Sequence, residues 1–487
     1  MALKKISFLS MFGLSFVLSV HLFAEVPPRE LWKARYGSVA TDGARRLCAD
    51  GSGNVYVTGY VNNGLNNDLI VIKYNSSGET VWVKNINRGD ADEGYDIVLD
   101  KTGYLYIAGY STNTNYDGFL VKMDTDGNTV WQKTFDMSGN PDKFCGIALD
   151  SSGNVYLCGY ANEGGGGGGK TFIVAKCNST CDTLDWTFSY PPAGMDEARG
   201  IVVSEDGFVY ATGVSNNNIL TVKLDSSGNS VWTKIYDSGG VDEGNGLVLN
   251  REGHILVAGC IHPGANYDYV LIKYNSDSST VCTKTLDGGA DDIAFGVATD
   301  QCGYIYVCGR SYGSNNDDYL VVKYNPSGDS IIWKLRYDSG QKDECRDIKL
   351  GGTDYLYLAG SSGNLGTEDL LTIKYILLPT PGIRPPVGTG EVKIGSTGGK
   401  GIVHQGEQAI ISFRPASAGK VIMRIYTLNG MLVWEDEKIV SDPLDSSLNY
   451  FLWDCRNRSG DIVVSGTYIV FVEGPGIRVS KKVIIMR

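Results

Sequence analysis

The chain has 487 residues, 42% hydrophobic and 20% charged, which excludes a disordered polypeptide and supplies apolar material for two or three domains. Its 63 Gly show no Gly-X-Y period and stand beside 29 Tyr and only 14 Pro; collagen is excluded, and many short strands joined by tight turns are favoured. With 43 basic against 55 acidic residues, the net charge of −12 argues against nucleic acid and against an anionic membrane face, and four His leave little for an all-His metal site.

Residues 1–24 read as a secretory signal peptide. Lys4 and Lys5 give the positive start, Ile6 to Phe23 is the apolar stretch, and Ala24 precedes a cleavage point at Glu25. No Cys follows that stretch, which argues against a lipid-anchored form, and no later segment reaches transmembrane length. The mature chain is expected to be secreted or held at the cell surface, with no membrane span once the leader is removed.

A repeat follows. Gly53-Asn54-Val55-Tyr56-Val57-Thr58-Gly59 returns in phrases ending at Gly109, Gly159, Gly213, Gly259, Gly309 and Gly360, at steps of 50, 50, 54, 46, 50 and 51 residues. Its alternation is that of a half-buried strand. Each copy leads to a strand ending in Lys, as in Leu69 to Tyr74, and then to a turn such as Asn75-Ser76-Ser77-Gly78, whose Gly suits positive φ. The next strand carries Trp82, Trp131, Trp186, Trp232 or Trp333, with Cys282 in that place once, and a fourth strand follows an acidic turn, as in Asp92 to Asp100. Four strands in about 50 residues make one propeller blade.

The seventh copy, ending Leu371 to Tyr375, has no Trp strand after it, whereas the mature chain starts with an orphan one, Leu31 to Tyr36. The expected fold is therefore all-β: a seven-bladed β-propeller over 29–376, its last blade completed by the N-terminal strand, which removes two sheet edges at once. These motifs resemble the bacterial SBBP-type propeller repeat over about residues 30–376. The resemblance implies an exported or surface protein and no single activity. Departures are Val214 where Tyr60 and Tyr110 stand in other repeats, Cys282 for Trp, and a Gly164–Gly169 run that reads as a loop.

Pro379, Pro381, Pro385 and Pro386 mark a linker over 377–390. Beyond it, short apolar strands around an Asn429-Gly430 turn suggest a small sandwich over 391–487. The Ile425-Tyr426 to Gly430 turn, Trp453-Asp454-Cys455-Arg456-Asn457, Ser465-Gly466-Thr467-Tyr468 and the apolar end resemble the immunoglobulin-like domain of flagellar hook-capping proteins and type IX secretion sorting domains. That resemblance implies sorting or surface attachment through the secretion machinery; a plain structural sandwich is the alternative. Cys455 stands where those families have Gly.

Asp42, Asp92, Asp142, Asp196, Asp242, Asp292 and Asp343 form an acidic ring, one per turn before the innermost strand. Such a ring could hold a cation, but sevenfold recurrence favours a structural role in which each Asp accepts N–H bonds within its own turn. Lys73, Lys122, Lys176, Lys223, Lys273, Lys323 and Lys374, one per repeat, are expected to snorkel toward carboxylates. Asp124-Thr125-Asp126-Gly127-Asn128 has the look of a calcium-loop fragment and reads as an ordinary turn. Eleven Cys show no framework, but Cys177–Cys181 and Cys145–Cys158 are candidate disulfides in an exported chain.

Individual residues cluster in the loops after the second strand: Tyr60, Tyr110, Tyr116, Tyr160, Tyr267, Arg310 and Tyr312 are the candidate ligand-binding set. The innermost strands are expected to carry only repeated framework residues. No nucleophile–base arrangement or metal-ligand spacing is legible, so no catalytic residue, metal or cofactor is expected. Two functions follow: a non-catalytic binding or adhesion protein for an extracellular glycan or protein ligand, or a polysaccharide hydrolase or lyase built on a propeller.

Overall fold

The computed structural model describes residues 27–486 except 113–114, 138, 163–168, 191–193, 195, 314, 353–354, 365, 378–391, 397–401, 405–407 and 441–448. The leader, nearly all of the linker and nearly all of the glycine run lie outside the described residues. Every regular element among the described residues is a strand, and no helix is long and apolar enough to cross a membrane.

Residues 29–376 build seven four-stranded antiparallel sheets. The first comprises Gly43–Ala49, Val55–Asn62, Asn67–Tyr74 and Thr80–Ile86. The first strands of successive sheets touch in order, and the cycle closes where Gly43–Ala49 meets Lys342–Gly351. This is a propeller-like architecture. The seventh sheet takes its outer strand from the start of the chain: Arg29–Tyr36 pairs antiparallel with Thr367–Ile376, from Arg29 opposite Ile376 to Tyr36 opposite Leu370.

Apolar faces of neighbouring sheets bury one another. One shared cluster joins Leu47, Val57 and Ile72 of the first sheet to Ala359 and Leu370 of the seventh. A second device binds sheet to sheet. The turn glycine, Gly78, has φ +86°, and a Cβ on it would sit 2.6 Å from the Trp32 ring, so the indole of the seventh sheet lies flat on the turn of the first. Trp32 Nε1 donates to Ser76 O at 3.0 Å, and Lys374 Nζ donates to the same oxygen at 3.2 Å. Trp82 and Lys73 repeat this on Thr125 O, and Trp232 and Lys223 on Ser276 O. The Lys expectation is thus corrected in part: Lys73, Lys223, Lys273 and Lys374 cap a neighbouring turn's carbonyl, and Lys73 lies over Tyr56 at 5.3 Å, while the Lys323 charge acts on the Asp300 carboxylate as expected.

Residues 392–486 form two further sheets, of three and five strands. Ile411, Phe413, Phe451 and Trp453 of the smaller sheet and Met423, Ile425, Val470 and Val483 of the larger share one core, which makes a two-layer sandwich. Cys455 has φ +60°, the left-handed region that favours Gly. Asp454 lies 3.8 Å from Arg251, in the turn that follows an innermost strand.

Candidate axial binding site

Each innermost strand starts from a buried Asp. Asp42 accepts N–H bonds from Ser38 and Asn62, Asp142 from Met137 and Asn162, and Asp242 from Ser238 and His262. The carboxylate ties the start of its own strand to the end of the second strand. Burial pushes Asp42, Asp92, Asp292 and Asp343 above the ordinary carboxyl value, against the lowering effect of those bonds.

Three residues on, every innermost strand bulges. Register shifts fall at Ala44/Arg46, Gly94/Asp96, Phe144/Gly146, Ala198/Gly200, Gly244/Gly246, Ala294/Gly296 and Cys345/Asp347. The extra residue in each is Arg45, Tyr95, Cys145, Arg199, Asn245, Phe295 or Arg346. A bulge re-aims its side chain, and all seven line one cavity of about 340 Å³ on the axis. The repeat glycine makes room for it: a Cβ on Gly59 would lie 2.0 Å from Gly43 O, and one on Gly109 1.9 Å from Glu93 O. The expectation that innermost strands carry only framework is therefore corrected, since this position holds Arg in three sheets and Tyr, Cys, Asn and Phe in the other four.

The cavity is a mesh of charges and rings. Arg45 lies over Tyr95 at 4.7 Å and Tyr60 at 5.1 Å and pairs with Glu93 at 3.0 Å. Arg346 lies over Phe295 at 4.1 Å and pairs with Glu344. Lys143 meets Glu197 at 3.0 Å and Arg199 meets Glu243 at 2.6 Å. Burial pushes Glu197 up, but Lys143, Arg199 and Lys170 outweigh it and hold the carboxyl well below its usual range. Burial lowers Arg346 and the like charges of Arg45 and Arg46 add to this, against Glu344. Arg46 crosses the axis to donate to Arg346 O at 2.7 Å and Asn245 O at 3.3 Å, forming a floor. Below it lies a second cavity of about 450 Å³ with Asp96, Asp347 and Lys349 in its lining. The Arg251–Asp454 contact is at the far end of the innermost strands, away from the acidic turns at the mouth.

Of the loop residues singled out from sequence, Arg310 lines the cavity and bonds Asp317. Tyr60 stacks on Arg45, Tyr110 on Tyr95 at 6.0 Å, and Tyr160 lies 5.4 Å from Lys143 and 4.1 Å from Lys170. Tyr116 meets Tyr110 edge-on at 4.8 Å and is exposed, Tyr267 packs on His262 at 4.9 Å, and Tyr312 is exposed at the end of its second strand. The Asp124 turn bonds itself, accepting from Asp126 N and Asn128 N. Cys177 and Cys181 are bridged with Cα atoms 5.0 Å apart. The Cys145–Cys158 pairing is corrected: both are free thiols, because the bulge shifts Cys145 and leaves Gly146 opposite Cys158.

Residues 81–117 match the SBBP beta-propeller repeat family. The match spans a single repeat of the chain. That repeat runs from the Trp82 strand across the acidic turn to the end of the second strand, so it contains Asp92, the Tyr95 bulge and Gly109. Among solved structures, the Neurospora crassa Pan2 WD40 domain is similar at 10% identity and TM-score 0.47, covering 72% of this chain and 97% of that one. A protein of unknown function from Dyadobacter fermentans is similar at 9% identity and TM-score 0.45, covering 72% and 99%. PorZ, a bacterial surface component of the type IX secretion system of Porphyromonas gingivalis, is similar at 12% identity and TM-score 0.33, covering 93% and 75%. Comparison with curated protein sequences finds no match.

Proposed function

We propose that this chain is an exported, non-catalytic binding protein: a seven-bladed propeller that presents the mouth of its axis to an extracellular ligand. Its immunoglobulin-like C-terminal sandwich, joined at the opposite end, serves sorting or surface attachment. One observation carries the reading. Seven bulged residues of five kinds converge on one cavity inside a scaffold whose other features repeat. The leader-like residues 1–24 support export, and the Arg251–Asp454 contact supports a sandwich that leaves the mouth open.

The test is a glycan and peptide array probed with the mature chain, with reducing-sugar release read in parallel. A ligand bound by the native protein, lost in Tyr60→Ala/Tyr110→Ala/Arg310→Ala and kept in Asn75→Ala/Asp225→Ala/Asn325→Ala, is the expected result. Loss only in the second variant would move the site to the opposite face, and release of reducing sugar would make the protein an enzyme.

A further inference from the structure

The carboxylates around the axial cavity are outnumbered. Glu344 serves Arg346, Arg310 at 3.8 Å and Lys342 at 3.9 Å, with Asp317 shared by Arg310 and Glu368 by Lys342. Glu197 serves Lys143 at 3.0 Å, Lys170 at 3.5 Å and Arg199 at 3.9 Å. Arg46 donates to the carbonyl oxygens of Arg45, Arg346 and Asn245. The buried Nε atoms of Arg45 and Arg310 have no hydrogen-bond partner. On a chain of net charge −12, cationic N–H groups short of acceptors gather on one wall of the cavity.

That wall is also pre-oriented. Arg45 is held between the Tyr60 and Tyr95 rings, and Arg346 rests on Phe295. Stacked guanidinium groups lose little freedom when they bind, and their planar forks match a carboxylate. Across the cavity stand Asn245, Glu243 and the Glu197–Lys143 pair, alternating acceptors and donors rather than an apolar surface. Arg199 joins Asn245 to Glu243, and Lys143 holds Glu197, so this wall is a bonded polar lattice whose remaining lone pairs and N–H groups adjacent hydroxyls can share and an aliphatic ligand cannot. A volume of about 340 Å³ is at the small end of ligand pockets and suits a single sugar-sized unit.

Taking the binding role above as given, we infer that the axial cavity takes a sugar acid, free or at the end of a glycan: its carboxylate on Arg45 and Arg346, its hydroxyls on Asn245, Glu243 and Lys143. The carboxylate relieves the crowding of Arg45, Arg46 and Arg346, and the ring hydroxyls replace water on the facing wall.

The test uses calorimetry on the full mature chain with galacturonate, glucuronate and trigalacturonate, against galactose, trigalactose and an acidic dipeptide, alongside the array above. The expected result is binding of at least one acidic sugar, no binding of its neutral counterpart, and weakening as salt rises. Arg346→Gln should weaken it by about ten-fold or more, and Arg346→Lys by less. Circular dichroism of each variant separates lost binding from lost fold, and Asn245→Ala gives a second, uncharged probe of the hydroxyl wall. Binding of the dipeptide or of a neutral glycan, unchanged in Arg346→Gln, would overturn the sugar-acid inference and leave the binding role standing. Silence of every acidic sugar and of the whole array would overturn both.

Discussion

The carbonyl oxygen of Glu344 fills the place that a Cβ on Gly360 would take, 2.0 Å from it. Glu344 immediately precedes the bulge that turns Arg346 to the axis, so a repeat glycine and a cavity residue are two halves of one feature. Gly360→Ala would set side chain against backbone, with no flexible group to give way. The expected cost is about 2–4 kcal/mol, together with weakened ligand binding as the bulge is displaced. Gly103→Ala provides the comparison: φ there is +89° but nothing lies within 4 Å, so the cost is about 1–2 kcal/mol with binding kept. Thermal melts and ligand titrations of the two variants check this.

Closure depends on the strand Arg29–Tyr36. A chain beginning at Asp42 loses the Trp32–Ser76 bond, the Trp32 face on Gly78 and the outer strand of the seventh sheet. The exposed edge of Thr367–Ile376 invites pairing between molecules. Lower solubility and a lower melting temperature are expected, with Trp32→Ala alone costing about 2–4 kcal/mol. A truncated chain that stays monomeric by light scattering with an unchanged melt would show that the strand is dispensable.

Glu197 sets part of the acid sensitivity. Its carboxyl is held below the ordinary value of 4.5 in the folded protein, so the unfolded chain takes up that proton first. The stability it contributes is complete above the unfolded pKa and is lost as pH falls toward the folded one. Asp42, Asp92, Asp292 and Asp343 act in the opposite sense. Raised by burial above 3.8, they protonate first in the folded state, and their contribution grows as pH falls through that window. Glu197→Gln should cost about 2–4 kcal/mol at pH 7 by leaving Lys143 unpaired, and the gap to the native protein should narrow between pH 4.5 and pH 3. Melting temperatures across that range provide the readout; a constant gap would reject it.

The cysteines should separate cleanly under non-reducing peptide mapping, with Cys177 linked to Cys181 and the other nine as thiols. Burial pushes the Cys145 and Cys260 thiols up to about 12, so neither forms thiolate at neutral pH. Both should resist alkylation at pH 8 in the native protein and react at once in denaturant.

The sequence by itself determined the all-β class, the strand order of each unit, the orphan strand at the start and the side of the sheets on which individuality concentrates. These follow from local rules: two-residue alternation, turn glycines at set offsets, and a count that comes out one strand short at one end and one over at the other. Tyr60, Tyr110, Tyr160 and Arg310 were legible because each follows the repeat glycine and opens a segment that varies from copy to copy. Only the tertiary structure decided that Arg45, Tyr95, Cys145, Arg199, Asn245, Phe295 and Arg346 share a cavity. A bulge adds one residue without changing the spacing of the phrase, so strict alternation assigns that position to the wrong face. The offset of three from each Asp was visible, but Arg stands there in only three of the seven copies, and the set gains a shared role only when a ring brings it together. The same slip decided that Cys145 does not meet Cys158, and the packing of sheet on sheet decided that Lys73, Lys223, Lys273 and Lys374 cap a neighbour's carbonyl.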